Sequence, residues 1–342
     1  MWTNYIKNFS RNEFETICKR FDSARLAKKP IWRGTVFIGI EPLYIECHVK
    51  WIADKIDEYF VNTLPNQHID NARELYILND GVDKFMAQPA PLTTDVFWIE
   101  DDIYSCPDII ALDNCIFAKY GNSFFVSVDD NDKNNFWHLG ENHLLMRLFG
   151  YIFNDNNIVL HGAVVGNKDF GVLITGLSGV GKSTLAAYCA KYGMSFVCDD
   201  RVALHIENNI VFADPIYTTL SLYEPIGGLK VKTVFRPENC TKDIIILDKS
   251  YISKHMPIRA IIEPIKSNNN MPIIEKSAKS PVLTRICSDY SNFSRLTRSI
   301  NPLNEYKKIS EMLKDIDVYS LQLSKSIDEN AKSILNLTLT EV

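Results

Sequence analysis

Residues 176–184 read Gly-Leu-Ser-Gly-Val-Gly-Lys-Ser-Thr, a full G-x-x-x-x-G-K-[ST] loop. Such a loop works only between a strand and a helix, and both flanks comply. The apolar run Val172-Leu173-Ile174-Thr175 enters it, and Leu185 to Ala190 continues as a helix. Gly176, Gly179 and Gly181 let backbone amides turn inward around phosphate oxygens, and a helix opening near Lys182 aims its positive dipole end at them. The loop from Gly176 through Ser178, Gly179, Val180 and Gly181 to Lys182, Ser183 and Thr184 is therefore the expected nucleotide cradle. Lys182 would reach the β and γ phosphates of ATP, and the Ser183 hydroxyl would ligate Mg²⁺. Thr184 reads as a helix residue at the edge of the cradle and not as a second metal ligand.

The rest of the composition narrows the class. At 342 residues the chain has room for about two domains. A net charge of −5 and the lack of a Lys/Arg cluster argue against a nucleic-acid partner. No apolar run reaches the roughly 18 residues of a membrane span and no secretory signal opens the chain, so no membrane partner and a cytoplasmic location are expected. The eight cysteines are scattered, with no Cys/His cluster at zinc spacing, and read as free, mostly buried thiols.

Residues 1–135 read as a smaller α+β accessory or recognition domain. Helices are expected over Asn12 to Ala27 and Val49 to Val61, the second amphipathic through Trp51, Ile52, Ile56 and Phe60. Strands are expected over Gly34 to Ile40, Glu74 to Leu78 and Val96 to Ile99. A hairpin over Cys115 to Val128 should turn at Tyr120-Gly121-Asn122-Ser123. The aromatic residues alternate as core positions do. Asp101-Asp102 and Asp129-Asp130 read as solvated caps beside turns. The polar stretch 129–135 marks the boundary, and residues 136–342 form the second domain. That domain opens with a helix over Glu141 to Phe153, ended by Asn154 to Asn157. A strand from Ile158 to Val165 follows, paired through Gly166-Asn167-Lys168-Asp169 with the strand that feeds the loop. A hairpin entering a phosphate loop differs from the usual parallel crossover.

Phosphoryl transfer needs acids near the phosphates. Asp199 and Asp200 follow Phe196-Val197-Cys198, and neighbouring strand residues face opposite ways, so the pair could divide metal and substrate roles. Asp248, after Ile244 to Leu247, is an alternative metal-side acid. Asp214, before Pro215, reads as a turn residue. His161 ends the apolar run Ile158-Val159-Leu160 and is either a hydrogen-bonded core histidine or a chemical group. Lys230, Arg236, Arg259 and Lys266 are unranked candidates for a cation at the transferring phosphate. Asn268-Asn269-Asn270 reads as a loop tip. Ser277 to Ser299, with Arg285, Arg295 and Arg298, reads as a solvated helical face.

Taken together, His161-Gly162-Ala163-Val164-Val165, Gly171 through Ser183, and Cys198-Asp199-Asp200-Arg201-Val202 resemble, in order and separation, the catalytic domain of HPr kinase/phosphorylase and its kinase relatives. The resemblance covers roughly residues 158–206, and Ile316 to Leu321 looks like the last strand of such domains. It implies an α/β phosphate-loop kinase fold of the HPr kinase and ATP-dependent carboxykinase type, with a mixed sheet, preceded by the α+β domain. The family's Glu-Ile-Arg-Gly-Leu-Gly string is reduced here to Glu224-Pro225-Ile226-Gly227-Gly228-Leu229, without the arginine, and Thr184 stands where the family favours Glu.

By the same resemblance the reaction is transfer of the γ-phosphoryl group of ATP to a serine hydroxyl on a protein or peptide. Asp200 would be the base, His161 would orient it, and Lys182 would neutralise the migrating group. Asp199 and Ser183, with Glu224, would support Mg²⁺. Divergent relatives tailor ribosomally made peptides, including lasso precursors, so the acceptor is either such a peptide or HPr in sugar-uptake control. Two rivals share the loop: a non-catalytic ATP-binding regulator, and a carboxykinase relative with a second metal site rich in His and Lys, for which the sequence shows no cluster. Homo-oligomerisation is left open.

Overall fold

The computed structural model describes residues 6–9, 11–60, 62–80, 85, 95–99, 109–112, 115–128, 157–236, 241–294 and 302–340. Its amino-terminal part is one mixed sheet carrying two helices. The elements are β1 (Ile6–Phe9), α1 (Arg11–Leu26), β2 (Trp32–Ile38), β3 (Glu41–Cys47), α2 (Lys50–Tyr59), β4 (Thr63–Pro65), β5 (Arg73–Leu78), β6 (Asp95–Ile99), β7 (Ile109–Leu112), β8 (Cys115–Tyr120) and β9 (Ser123–Ser127). They are ordered β1-β6-β7-β8-β9-β5-β3-β2-β4. Side chains alternate across this sheet as the strand period requires. Leu75, Ile77, Phe124 and Val126 join α2 through Ile52 and Ile56 on one face. Tyr76, Leu78 and Phe125 join α1 through Phe14, Ile17 and Phe21 on the other. Phe14, Phe21, Tyr59, Phe60, Tyr76, Phe85, Phe124 and Phe125 are buried, as expected, whereas Tyr120 at the hairpin is exposed, and both helices and the β8–β9 hairpin fall where the sequence places them. The first strand ends at Ile38 instead of Ile40, because Gly39 takes a left-handed φ of 61° and begins the turn into β3. Asp101-Asp102, the boundary stretch 129–135 and the helix expected over 141–153 lie outside the described residues.

The second part has helices on both faces of a mixed sheet. It comprises β10 (Ile158–His161), β11 (Ala163–Gly166), β12 (Gly171–Ile174), α3 (Lys182–Lys191), β13 (Ser195–Cys198), β14 (Arg201–Glu207) and β15 (Ile210–Pro215). After these come β16 (Thr219–Leu222), β17 (Val231–Phe235), β18 (Asp243–Leu247), β19 (Met256–Asn269), β20 (Ile273–Lys276), α4 (Lys279–Ser294), α5 (Pro302–Leu313), β21 (Asp317–Ser324) and α6 (Ile327–Thr340). The order β10-β14-β15-β19-β12-β11-β13 has β21 and β20 added beside β19. Alternation again sorts the faces. Val164, Leu173, Ile261 and Val318 meet α4 and α5 through Val282, Ile286, Ile309 and Leu313. Val165, Val172, Ile174 and Ile262 meet α3 and α6 through Leu185, Ala186, Ala331 and Ile334. Five cysteines, Cys18, Cys47, Cys189, Cys198 and Cys287, are free and buried, as expected. Among the described residues no helix is long and apolar enough to cross a membrane.

The structure corrects the sequence reading at three places here. The strand expected over Ile158 to Val165 is two strands: β11 pairs with β12 as the expected hairpin, while β10 departs at Gly162 to pair with β14. Asp214 is no turn residue but a buried position in β15, opposite Ala203 of β14. β19 runs through Asn268 and Asn269, so the tip lies beyond them. The strand expected near Ile316 to Leu321 is present as β21, the last strand described, and α6 follows it and packs on α3.

The second part abuts the first through one continuous core. Val159, Ala203, Ile216, Tyr217 and Ile246 lie in the same buried cluster as α2 and its sheet face, and the Thr218 amide donates to the Tyr59 carbonyl at 3.3 Å.

At Gly162 a Cβ would stand 2.8 Å from the Ile174 carbonyl oxygen and 3.0 Å from Leu173 Cδ1. Gly162→Ala should lower unfolding free energy by about 1–3 kcal/mol in urea titrations, the cost of an overpacked methyl. Gly227→Ala, with nothing within 4 Å of the added methyl, should stay within about 0.5 kcal/mol.

Candidate active site

The glycine loop leaves the end of β12 at the middle of the sheet, between antiparallel β11 and parallel β19. Positive φ values at Gly176, Gly179 and Gly181 (152°, 75° and 102°) carry the chain around, and Gly181 caps α3 with no side-chain cap. The first amides of α3 are thus left without side-chain competition, the condition for an anion site at a helix start. Lys182 is 7% exposed, and its ammonium donates to the carbonyls of Gly176 (2.9 Å) and Leu177 (3.2 Å). Burial lowers its pKa, against opposing pulls from Asp199, Asp200 and Asp289. Ser178 and Gly179 form the exposed tip, Val180 is half-buried, and Thr184 sits inside the first helical turn, as expected.

The Asp199-Asp200 pair lies in the turn between β13 and β14, where it splits its roles by a route other than strand alternation. The Arg201 amide closes the turn onto the Asp199 carbonyl at 2.8 Å, and Asp200 adopts a left-handed φ of 66°. That conformation is uncommon outside glycine, and Asp is one of the residues that tolerates it. Asp199 is 2% exposed and receives the Ser221 amide at 3.3 Å, with the Ser183 hydroxyl near enough to offset part of the rise in its pKa. Burial and then the neighbouring Asp200 push its pKa up to about 6. A hydroxyl and a carboxylate held together beside the loop are a hard-oxygen donor set that suits Mg²⁺.

Asp200 points the other way, toward β10. His161 Nε2 lies 3.4 Å from its Oδ1, the Tyr217 hydroxyl donates to its Oδ2 at 3.1 Å, and an Arg201 guanidinium nitrogen is 3.8 Å from Oδ1. Burial lowers the His161 pKa to about 4, more than Asp200 raises it, and Arg201, Lys182 and Lys242 reinforce the lowering. The imidazole is therefore neutral at pH 7, where it can donate a hydrogen bond without adding charge. β10 and the β13–β14 turn meet because the Gly162 amide donates to the Asp200 carbonyl at 3.2 Å.

Most residues named from the sequence thus converge: the loop, Lys182, Ser183, His161, Asp199 and Asp200. Glu224 lies on an exposed loop after β16 and makes no hydrogen bond or ion pair among the described residues. Asp248 is exposed and caps a short 3-10 turn by accepting the Ser250 amide (2.9 Å), away from any metal role. Arg236 is paired with Asp243 at 2.7 Å, and Arg259 stacks over Phe170. Arg285 is not simply solvated, since it forms a half-buried ion pair with Glu263. Sequence reading missed Tyr217, Ser221, Arg201 and Asp289. Asp289 sits on α4, where burial raises its pKa and Lys182 lowers it. Contacts between distant elements reveal Tyr217, Ser221 and Asp289, whereas Arg201 adjoins Asp200 in a string already noted.

A family model described as HPr Serine kinase C-terminal domain matches residues 155–246. Among curated proteins, the HPr kinase/phosphorylase of Clostridium kluyveri is 24% identical over 202 residues, 51% of this chain and 65% of that protein. That of Clostridium tetani is 28% identical over 181 residues, 44% and 59%. That of Nitrosomonas europaea is 28% identical over 149 residues, 35% and 45%. The chain therefore aligns with less than two thirds of the length of these relatives. A solved structure of the Hpr(Ser) kinase/phosphatase from Coxiella burnetii covers 53% of this chain and 87% of that chain, at 16% identity and a TM-score of 0.28. The matched segment, which holds His161, the loop and both aspartates, is similar to the carboxy-terminal domain of HPr serine kinases.

The two shifted groups give opposite pH slopes. Asp199 has a raised folded pKa, so its ionisation costs stability progressively from about pH 4 to 6 and fully above, about 3 kcal/mol for a group this buried. His161 has a lowered folded pKa, so its contribution is present above about pH 6.5 and is lost as pH falls toward 4. Nucleotide-free Asp199→Asn should lose the first slope and His161→Gln the second in denaturation series from pH 4 to 8.

Proposed function

We propose that this chain is an ATP-dependent kinase that phosphorylates a serine hydroxyl on a protein or peptide. One observation carries the reading: Asp200, in contact with His161 and Tyr217, opens beside buried Asp199, which the Ser183 hydroxyl of the glycine loop approaches. The loop amides from Gly176 to Gly181 and the first amides of α3 cradle the phosphates of ATP. Lys182 then exchanges its loop carbonyl partners for phosphate oxygens. Ser183 and Asp199 hold Mg²⁺, which when bound neutralises charge building on the β and γ phosphates. The metal-side assignment of Glu224 rests on the resemblance alone.

Asp200 takes the proton of the acceptor serine as its Oγ bonds to the γ-phosphorus. The bond from that phosphorus to the bridging oxygen breaks, and ADP leaves with the electron pair. Tyr217 and neutral His161 hold the carboxylate of Asp200 toward the acceptor, and Arg201 stands 3.8 Å from its Oδ1. Residues 1–135 would bind the acceptor, and residues 136–342 would carry the chemistry.

Intact-mass analysis after incubation with ATP and Mg²⁺, using HPr and serine-containing precursor peptides as acceptors, tests the reading. Wild type should add one phosphate, about 80 Da, to one acceptor class, and Asp200→Asn should slow this roughly 10²- to 10⁴-fold with ATP affinity retained. ATP binding without transfer to any acceptor would instead favour a regulator. Tyr217→Phe should lower kcat roughly tenfold while KM for ATP stays within about twofold, the signature of a lost hydrogen bond that only positions the base.

A further inference from the structure

At the end of β14 away from Asp200, a second set of ionisable groups converges. β14 and β15 form a hairpin turning at Asn208-Asn209, with His205 opposite Phe212 and Ala203 opposite Asp214. By strand alternation, His205, Glu207, Phe212 and Asp214 share one face. The segment leading into β19 brings His255 onto that face, with its ring stacked on Phe212 at 4.1 Å and 8°. The cluster lies about 13 Å along the strand from Arg201, at roughly 3.3 Å per residue.

Asp214, 3% exposed, faces both imidazoles by their Nδ1 atoms. His255 Nδ1 hydrogen-bonds its Oδ1 at 2.8 Å, and His205 Nδ1 lies 2.8 Å from its Oδ2. A carboxylate accepts only, so Nδ1 of His255 carries the proton and its Nε2 presents a lone pair. His205 Nδ1, although close to Asp214, makes no hydrogen bond to it. Both Nε2 atoms converge on Glu207, whose Oε2 is 3.4 Å from His255 Nε2 and 4.0 Å from His205 Nε2. Two acceptors, His255 Nε2 and Glu207 Oε2, thus meet beside the ring of His205. The His205 side chain is 2% exposed, and its Nε2 has no hydrogen-bond partner. Burying such a group unsatisfied is costly, and native structures avoid it.

We propose that His205 Nε2, His255 Nε2 and Glu207 Oε2 form a Zn²⁺ site, with Asp214 fixing both imidazoles from behind. The three ligand atoms all lie within 4.8 Å of one another. Tetrahedral zinc with bonds of about 2.0–2.2 Å separates its ligands by roughly 3.4 Å, so the His255–Glu207 spacing already fits, whereas His205 Nε2, 4.0 Å from Glu207 Oε2, must move inward. Two imidazoles and a carboxylate are a donor set typical of zinc, and carboxylate-backed histidines are its usual support. Two carboxylates, two neutral imidazoles and one divalent ion sum to zero charge. Glu207 and His255 are 52% and 41% exposed, which opens the fourth position to water. The ion would pin the β14–β15 hairpin to the start of β19, the strand that runs beside the one feeding the glycine loop. The sequence hides this cluster, since His255 is far along the chain from His205, and no Cys/His spacing announces it.

The full chain, stripped with a chelator and held in millimolar Mg²⁺, is titrated with Zn²⁺ against a chromophoric competitor, alongside His255→Ala and Glu207→Gln. Wild type should bind about one equivalent, rise in Tm with Zn²⁺, and show tetrahedral Co²⁺ absorption when cobalt replaces zinc. Each variant, changed at an exposed position, should weaken binding at least tenfold and lose the Tm response. No zinc bound by wild type would overturn the site. Equal binding by all three proteins would overturn it as well, by placing the ion elsewhere, for instance on thiols.

Discussion

Where Gly162 passes the end of β12, the space between backbones admits a hydrogen and nothing larger. That crossing lets one run of residues serve two neighbours, β11 as the antiparallel partner of the loop strand and β10 as the partner of β14. It also supplies the amide that holds the Asp200 carbonyl, so His161, the glycine loop and the aspartate turn are fixed relative to one another by main chain alone. Side chains then need little freedom to meet, which is the condition for positioning-dominated chemistry.

Among the described residues Lys182 donates only to loop carbonyls and Asp199 accepts a backbone amide but forms no ion pair, so each charge is sparsely compensated by its neighbours. Burial that raises the Asp199 pKa and lowers those of His161 and Lys182 shows the same thing from each side: the protein alone solvates these groups poorly.

The loop, its flanking strand and helix, and the aspartates were legible in the sequence because their signals are local, glycine at sharp turns, apolar runs and acids at strand ends, whereas His161 was singled out as a chemical group only by the family resemblance. The hairpin order was legible too. What escaped depends on which elements meet. Asp214 before Pro215 has the local chemistry of a turn, yet β14 claims it as a strand partner, and the histidines that use it come from two segments. Tyr217 and Asp289 carry no motif and reach the site only because β16 and α4 pack there. α6 follows the strand that looked like the close of the domain, and its Ala331 and Ile334 complete the cover over α3.

Tyr217 belongs to two structures at once. Its hydroxyl touches the candidate base, while its ring is packed in the core shared with α2 and the amino-terminal sheet. The face of that sheet carrying α2 is therefore a back wall of the candidate site, whereas the face carrying α1 shares no buried cluster with it among the described residues. A repacking of the α1 face leaves the surroundings of Asp200 as they are, but a change of shape along α2 is passed to its carboxylate through the Tyr217 ring.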